Sequence, residues 1–338
     1  MIRTVSLMGT FVTIQVVDDD PAAAVEIEER VERAFEWFRE VEARCTRFNP
    51  DSEAMQLTAR IGVPVPASEI LFEAVRFADA VAEATGGAFD PTVGGQMEAR
   101  GFNREYRTGE IVRTALDPAV GVSYRDIHLD SGRKAITIGR PLILDLGAVA
   151  KGLAIDLAAR ELRPLVDFAI DAGGDLYLGG RGPGKAPWSV GIRHPRADGQ
   201  LMESIRVSDA AVCTSGDYER RTDDREGHHI LDPRAGVSTD AVASATVVAP
   251  TAMVADALAT AAFVLGPVEG LRLLESQGVE GLIVSPELER HATRGFGSGH
   301  GGSTILPDAE RSSHHRADAA GRPRRGGRRR QARCAGTP

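Results

Sequence analysis

The chain has 338 residues, 42% of them hydrophobic and 26% charged, which is the ordinary globular range and excludes collagen-like, coiled-coil and wholly disordered classes. Its net charge of −8 hides an uneven split, because the residues from Arg290 onward carry +8 and the 289 before them −16. The body therefore lacks the basic surface that nucleic acid binding requires.

The basic end, with GRPRRGGRRRQAR near its close, loses apolar periodicity from about Gly297, and a run of that kind is ordinarily solvated and disordered. No stretch of eighteen or more uncharged apolar residues occurs, and the N-terminus MIRTVSLMGTFVTIQVV alternates like a strand instead of forming a signal-peptide core. A protein without a membrane span is expected, in the cytoplasm. Cys45, Cys213 and Cys334 form no CxxC pair, so neither a disulfide framework nor a thiolate metal site is indicated.

In chain order, alternation predicts a strand over residues 4 to 17, then an amphipathic helix over 22 to 45 with Ile27, Val31, Ala34, Phe35, Phe38, Val41 and Cys45 on one face. Ser68 is placed to cap a second helix, which Gly86 and Gly87 stop. Strands are predicted over 135–138 and 142–144, a helix over 148–162, and a strand over 166–170. Further strands follow over 188–193, 204–207, 211–214 and 242–249. A helix over 251–265, a last helix over 267–276 and a strand over 282–284 complete the pattern. Strands and helices mix without a regular βαβ repeat, so the fold class is α+β, with mixed or antiparallel sheets and packed helices.

Glycine-rich polar turns recur beside apolar elements: TGGAFDP, LDLGAVAKG, DAGGDLYLGG, TSGDYER and HHILDPRAG. Glycine lets backbone approach a ligand closely, and exposed amides there can hold phosphate oxygens. In LDLGAVAKGLAID, Asp145 ends a strand and Lys151 enters the helix near its N-terminus, where a cation opposes the dipole. An anion such as a diphosphate held there accounts for that lysine; a lysine reaching solvent is the alternative. Asp256 and Thr260 lie four residues apart on an otherwise apolar helix, so both oxygens share one face. They suit either a common ligand or capping and backbone hydrogen bonding. His228 and His229 are adjacent, and at most one reaches a given site.

The ordered motifs MGTFVTI, RFNPDSE, AFDPTVGG, LDLGAVAKGLAID, DAGGDLYLGG, TSGDYER, HHILDPRAG and ADALATAAFVLG resemble those of the FAD:protein FMN transferases, the ApbE-like flavin transferases, over roughly residues 5 to 296. The resemblance implies a T-fold-related transferase domain over 1–296, divisible into two subdomains with the FAD site between them, followed by the basic tail over 297–338. It further implies a Mg2+-dependent enzyme that moves FMN from FAD to a threonine of an acceptor flavoprotein and releases AMP. An FAD diphosphatase and a non-catalytic flavin-binding protein are the alternatives. By position, Met8, Phe48, Ala88, Phe89, Asp90, Asp145, Lys151 and Ile230 match residues that line FAD. The backbone oxygen of Ala148 and the side chains of Asp256 and Thr260 match metal ligands.

Two departures stand out. Phe48 replaces a tyrosine that family members can carry, and Ala259 replaces a second acid. Oxygen donors of this kind suit Mg2+, which takes one or two carboxylates plus substrate phosphates, and would not suit zinc. Lys151 can add positive charge against the diphosphate. The acceptor's proton is expected to pass to His229, with His228, Asp171 and Asp175 as the other candidates.

Overall fold

The alternating N-terminus is a hairpin, where a single strand was predicted. Strands β1 (Ile2–Leu7) and β2 (Thr10–Val16) pair antiparallel with Leu7 opposite Thr10, and the two residues between them, Met8 and Gly9, have φ of 51° and 77°. Positive φ at both positions is the turn geometry that a two-residue hairpin needs. Methionine adopts it at a steric cost that glycine avoids. The computed structural model describes residues 1–18, 21–219 and 227–297, so the basic tail beyond Gly297 lies outside the described residues.

A second tight hairpin joins β6 (Phe168–Ala172) to β7 (Asp175–Gly179) through Gly173 and Gly174. A Cβ on Gly173 would lie 2.2 Å from Thr10 Oγ1, so this turn closes directly against the start of β2. The strand predicted at 166–170 begins two residues later because Val166 is a turn residue at φ 63°.

These four strands form half of an eight-stranded sheet in the order β1-β2-β6-β7-β10-β13-β14-β15, antiparallel throughout. The remaining members are β10 (Ala210–Gly216), β13 (Ser244–Ala249), β14 (Glu280–Val284) and β15 (Arg290–Ala292). Alternation along each strand divides the core. Ala211, Cys213, Ala245 and Val247 face helices α1 (Ala24–Cys45), α5 (Gly147–Leu162) and α6 (Ala252–Ser276). Leu178, Val212, Leu282 and Val284 instead pack against the hairpin of β8 (Trp188–Arg193) and β9 (Leu201–Val207). The result is a sheet with helices on one side and a strand pair on the other, an α+β arrangement.

The buried face of α1 consists of the seven residues expected from periodicity. Helix α3 (Glu69–Ala84) starts where Ser68 Oγ accepts the N–H of Leu71 at 3.2 Å. Helix α6 is interrupted at Gly266 (φ 81°, ψ 177°), just before Pro267, which matches the two helices predicted there. Its length and composition would suffice for a membrane span, yet most of its apolar surface is buried against α5 and strands β10, β13 and β14. The segment 142–144 is not a strand: it is buried and extended, but among the described residues it makes only a single bridge, between Val93 and Ile143. Smaller elements fill the periphery. Helices α2 (Glu53–Thr58) and α4 (Gly94–Ala99) are short, β3 (Val65–Pro66), β4 (Ile127–Asp130) and β5 (Ala135–Ile138) make a small sheet, and β11 (Leu231–Asp232) pairs with β12 (Val237–Ser238).

Candidate active site

Helices α5 and α6 approach each other unusually closely because Gly152 has no side chain. A Cβ there would lie 2.5 Å from the Met253 Cα. One turn further along α5, Asp156 accepts the N–H of Ala252 at 2.7 Å and of Met253 at 3.0 Å, satisfying two of the unpaired donors at the start of α6. Thr251 supplies a further cap through Val254 at 3.4 Å. The two helices are thereby fixed in register, and Lys151, the residue before Gly152, meets Asp256.

Lys151 Nζ lies 3.1 Å from Asp256 Oδ2 and also pairs with Asp175 on β7. Both carboxylates are more than nine-tenths buried, while the lysine keeps 20% side-chain exposure. One cation between two buried anions leaves a net negative charge that a further cation would neutralise. Thr260, one turn beyond Asp256, shares a hydroxyl–hydroxyl hydrogen bond of 3.1 Å with Ser215 on β10. Asp256, Thr260 and Ser215 present only oxygen, the donor type a hard divalent cation takes. Among the described residues no three His, Cys, Asp or Glu side chains cluster as metal ligands, so a metal here would draw few of its donors from acidic side chains. That fits Mg2+, which keeps waters and substrate phosphates. Ala148, whose carbonyl is the third expected ligand, lies in the first turn of α5. Ala259, next to Thr260, has 0% exposure and is packed as core.

The flavin-lining candidates gather around a residue that sequence reasoning passed over. Arg47, 5% exposed, donates from Nε to Asp145 Oδ2 at 2.7 Å, lies 4.3 Å from the Phe48 ring centroid and also bonds the Phe102 carbonyl. Asp145 also receives the Gly147 N–H at 2.9 Å, which orders the entry to α5. The Asp145 N–H in turn bonds the Pro91 carbonyl at 2.8 Å, docking LDLG beside AFDPTVGG. In that turn Ala88 and Phe89 are buried. Asp90 accepts from the Thr92 N–H and hydroxyl and from the Tyr124 N–H, at 2.9, 2.7 and 3.0 Å. Burial pushes the Asp90 carboxyl above its usual range, with those donors pulling the other way. Its observed work is holding the turn. Gln96 of α4 and Arg100, which caps its C-terminus, then reach the Pro233 and Gly236 carbonyls of HHILDPRAG at 3.2 and 3.4 Å. The motifs RFNPDSE, AFDPTVGG, LDLGAVAKGLAID, DAGGDLYLGG, TSGDYER and ADALATAAFVLG are thus joined by direct hydrogen bonds or ion pairs, and Met8 lies at the turn that abuts Gly173.

Three of the proton-acceptor candidates make hydrogen bonds or ion pairs of their own. His228 accepts the Ile230 N–H on Nδ1 at 3.2 Å and donates from Nε2 to the Thr239 carbonyl at 2.7 Å, a pattern that requires the neutral ring. Its ring also lies near-perpendicular to that of Phe263, with the centroids 5.4 Å apart. Asp171 accepts the Gly174 N–H at 2.8 Å, and burial pushes its carboxyl up while that N–H and the charge of Lys151 pull the other way. Asp175 is committed to Lys151 and to the Thr214 N–H. His229 is half-buried. Arg47 and Ser215 were missed as site members although both sit inside quoted motifs; burial of an arginine and pairing of two hydroxyls leave no periodic signal.

An antiparallel sheet backed by helices, with oxygen donors and a lysine gathered between two of those helices, defines an α+β enzyme of the flavin transferase fold. The ApbE family model matches residues 8–283. The FAD:protein FMN transferase of Treponema pallidum is 33% identical over 326 residues, covering 87% of both chains, and that of Haemophilus influenzae is 28% identical over 290 residues, covering 80% and 82%. An ApbE protein from Thermotoga maritima superposes with a TM-score of 0.75 at 29% identity, covering 88% of this chain and 97% of its own. The flavin transferase ApbE of Vibrio cholerae shares the fold at a TM-score of 0.73 and 24% identity. The chain belongs to the ApbE family, and it is a transferase.

Proposed function

We propose that the protein transfers the FMN half of FAD to a threonine side chain of an acceptor flavoprotein and releases AMP. The observation that carries this reading is the meeting of Lys151, Asp256 and Asp175, from three separate motifs, in one buried cluster with net negative charge. Asp256, Thr260 and the Ala148 carbonyl would hold Mg2+, and the ion would neutralise charge on the diphosphate as its bridging bond breaks. Lys151 supplies a fixed positive charge for the same oxygens. Asp145, oriented by Arg47, and the Phe48 ring line the flavin side, the ring stacking without a hydroxyl of its own. As the acceptor Oγ–P bond forms, the P–O bond to AMP breaks, and the threonine proton passes to His229.

The test is mass spectrometry of a threonine-bearing acceptor domain incubated with the protein, FAD and Mg2+. A gain of one FMN, lost with Asp256→Ala, is expected. No adduct, under conditions where a relative of known activity modifies the same domain, would overturn the reading. FMN and AMP released equally with and without acceptor would identify a diphosphatase instead, and FAD bound without turnover a flavin-binding protein.

A further inference from the structure

Lys151 serves two acids, and those acids are not equivalent. Asp175 is anchored in the sheet: one of its oxygens accepts the Thr214 N–H at 3.1 Å and the other holds the ammonium. Asp256 points from α6 with its Oδ2 3.1 Å from the same ammonium. The carboxylate assigned to the metal is therefore already engaged by a cation belonging to the protein. A divalent ion and an ammonium on the same carboxylate oxygen repel strongly at such short separation, and burial weakens the screening that would let them coexist.

We propose that Lys151 is the resident counterion of Asp256 and exchanges with the divalent metal. When the metal binds, the ammonium gives up Asp256 and is retained by Asp175, which keeps it near the N-terminus of α5 to face the diphosphate. Asp175 is thus a positioning residue that acts through Lys151. Metal binding to the FAD-free protein is weak because the ammonium competes for the ligand, and a diphosphate strengthens it by drawing the ammonium away. This inference rests on the reading of Asp256 as a metal ligand.

The exchange is tested with Mn2+ as the probe, following the free-ion EPR signal on the full-length protein freed of FAD. The double variant Lys151→Met/Asp175→Asn carries the same site charge as the wild type but lacks the competing ammonium. It is expected to bind Mn2+ at least ten-fold more tightly. Asp175→Asn alone, which leaves the ammonium only Asp256, is expected to bind at least ten-fold more weakly. A double variant that binds no tighter than wild type overturns the exchange. If Asp256→Asn leaves Mn2+ affinity unchanged, the metal-ligand reading itself fails, so the two failures are distinguishable. Should the double variant not fold, the wild type decides, since the chain has only three lysines, Lys134, Lys151 and Lys185. With ε-13C-labelled lysine, saturating Mg2+ must shift the Lys151 signal and leave the other two in place; an unmoved Lys151 signal overturns the proposal.

Discussion

His228 is the buried member of an adjacent histidine pair, and its backbone hydrogen bonds are invisible to composition. His228 spends both ring nitrogens on the backbone of Ile230 and Thr239 and makes a T-shaped contact with Phe263. Replacing it with alanine removes two hydrogen bonds and an aromatic contact from a buried position, which should cost about 2–4 kcal/mol of stability. His229→Ala should leave stability within about 0.5 kcal/mol and lower turnover by roughly 10²–10⁴, the range for loss of a general base. Thermal unfolding and single-turnover FMN transfer, measured on both variants, separate the roles. An unstable His229→Ala with near-normal turnover once folded would reverse the assignment. The individual metal and lysine candidates could be named from motif order, because each stands inside a quoted segment. Their partners could not: Arg47 meets Asp145 from 98 residues away and Lys151 meets Asp256 from 105, and such pairings depend on the tertiary fold.

At the level of elements, what positions the site is the crossing of α5 and α6, and Asp156 is its fastener. Burial pushes the Asp156 carboxyl up to about 6, outweighing the Met253 and Ala252 N–H groups that favour the charged form. The folded state thus takes up a proton that the unfolded chain, with the ordinary value of 3.8, releases more readily. Its contribution to stability is fully present below pH 4 and is lost as pH rises through about 6. Relative to Asp156→Asn, which keeps an acceptor but does not titrate there, the wild type should lose roughly 1–3 kcal/mol between pH 4 and pH 7. Urea unfolding of both proteins across that interval measures it, and parallel stability curves would show the assignment to be wrong. Long periodic elements such as α1 were readable because a wide apolar stripe carries the information. The hairpin at Met8–Gly9 was not, since alternation runs through a two-residue turn almost without a break and the reversal is carried by positive φ alone.

For the molecule as a whole, a division of the sheet into a functional side and a structural one can be tested with two substitutions, one on each side. Trp188, 8% exposed, anchors β8 against the face away from the helices and donates its indole N–H to the Gly179 carbonyl at 3.0 Å. Trp188→Ala should cost about 3–5 kcal/mol through lost burial and a cavity. Gly152→Ala forces a methyl group into the Met253 backbone, and such overpacking typically costs about 1–3 kcal/mol. Stability therefore ranks the tryptophan first, whereas function should rank the glycine first. Separating α5 from α6 moves Lys151 relative to Asp256 and should weaken Mn2+ binding and FMN transfer together. Loss of Trp188 disturbs the opposite face, where none of the candidate metal ligands stands, and the protein that remains folded should keep wild-type Mn2+ affinity. Unfolding curves fix the folded fraction of each variant, and Mn2+ titrations normalised to that fraction give the comparison. If Trp188→Ala lost metal affinity as severely as Gly152→Ala, the sheet would be transmitting strain between its faces and the division between them would not hold.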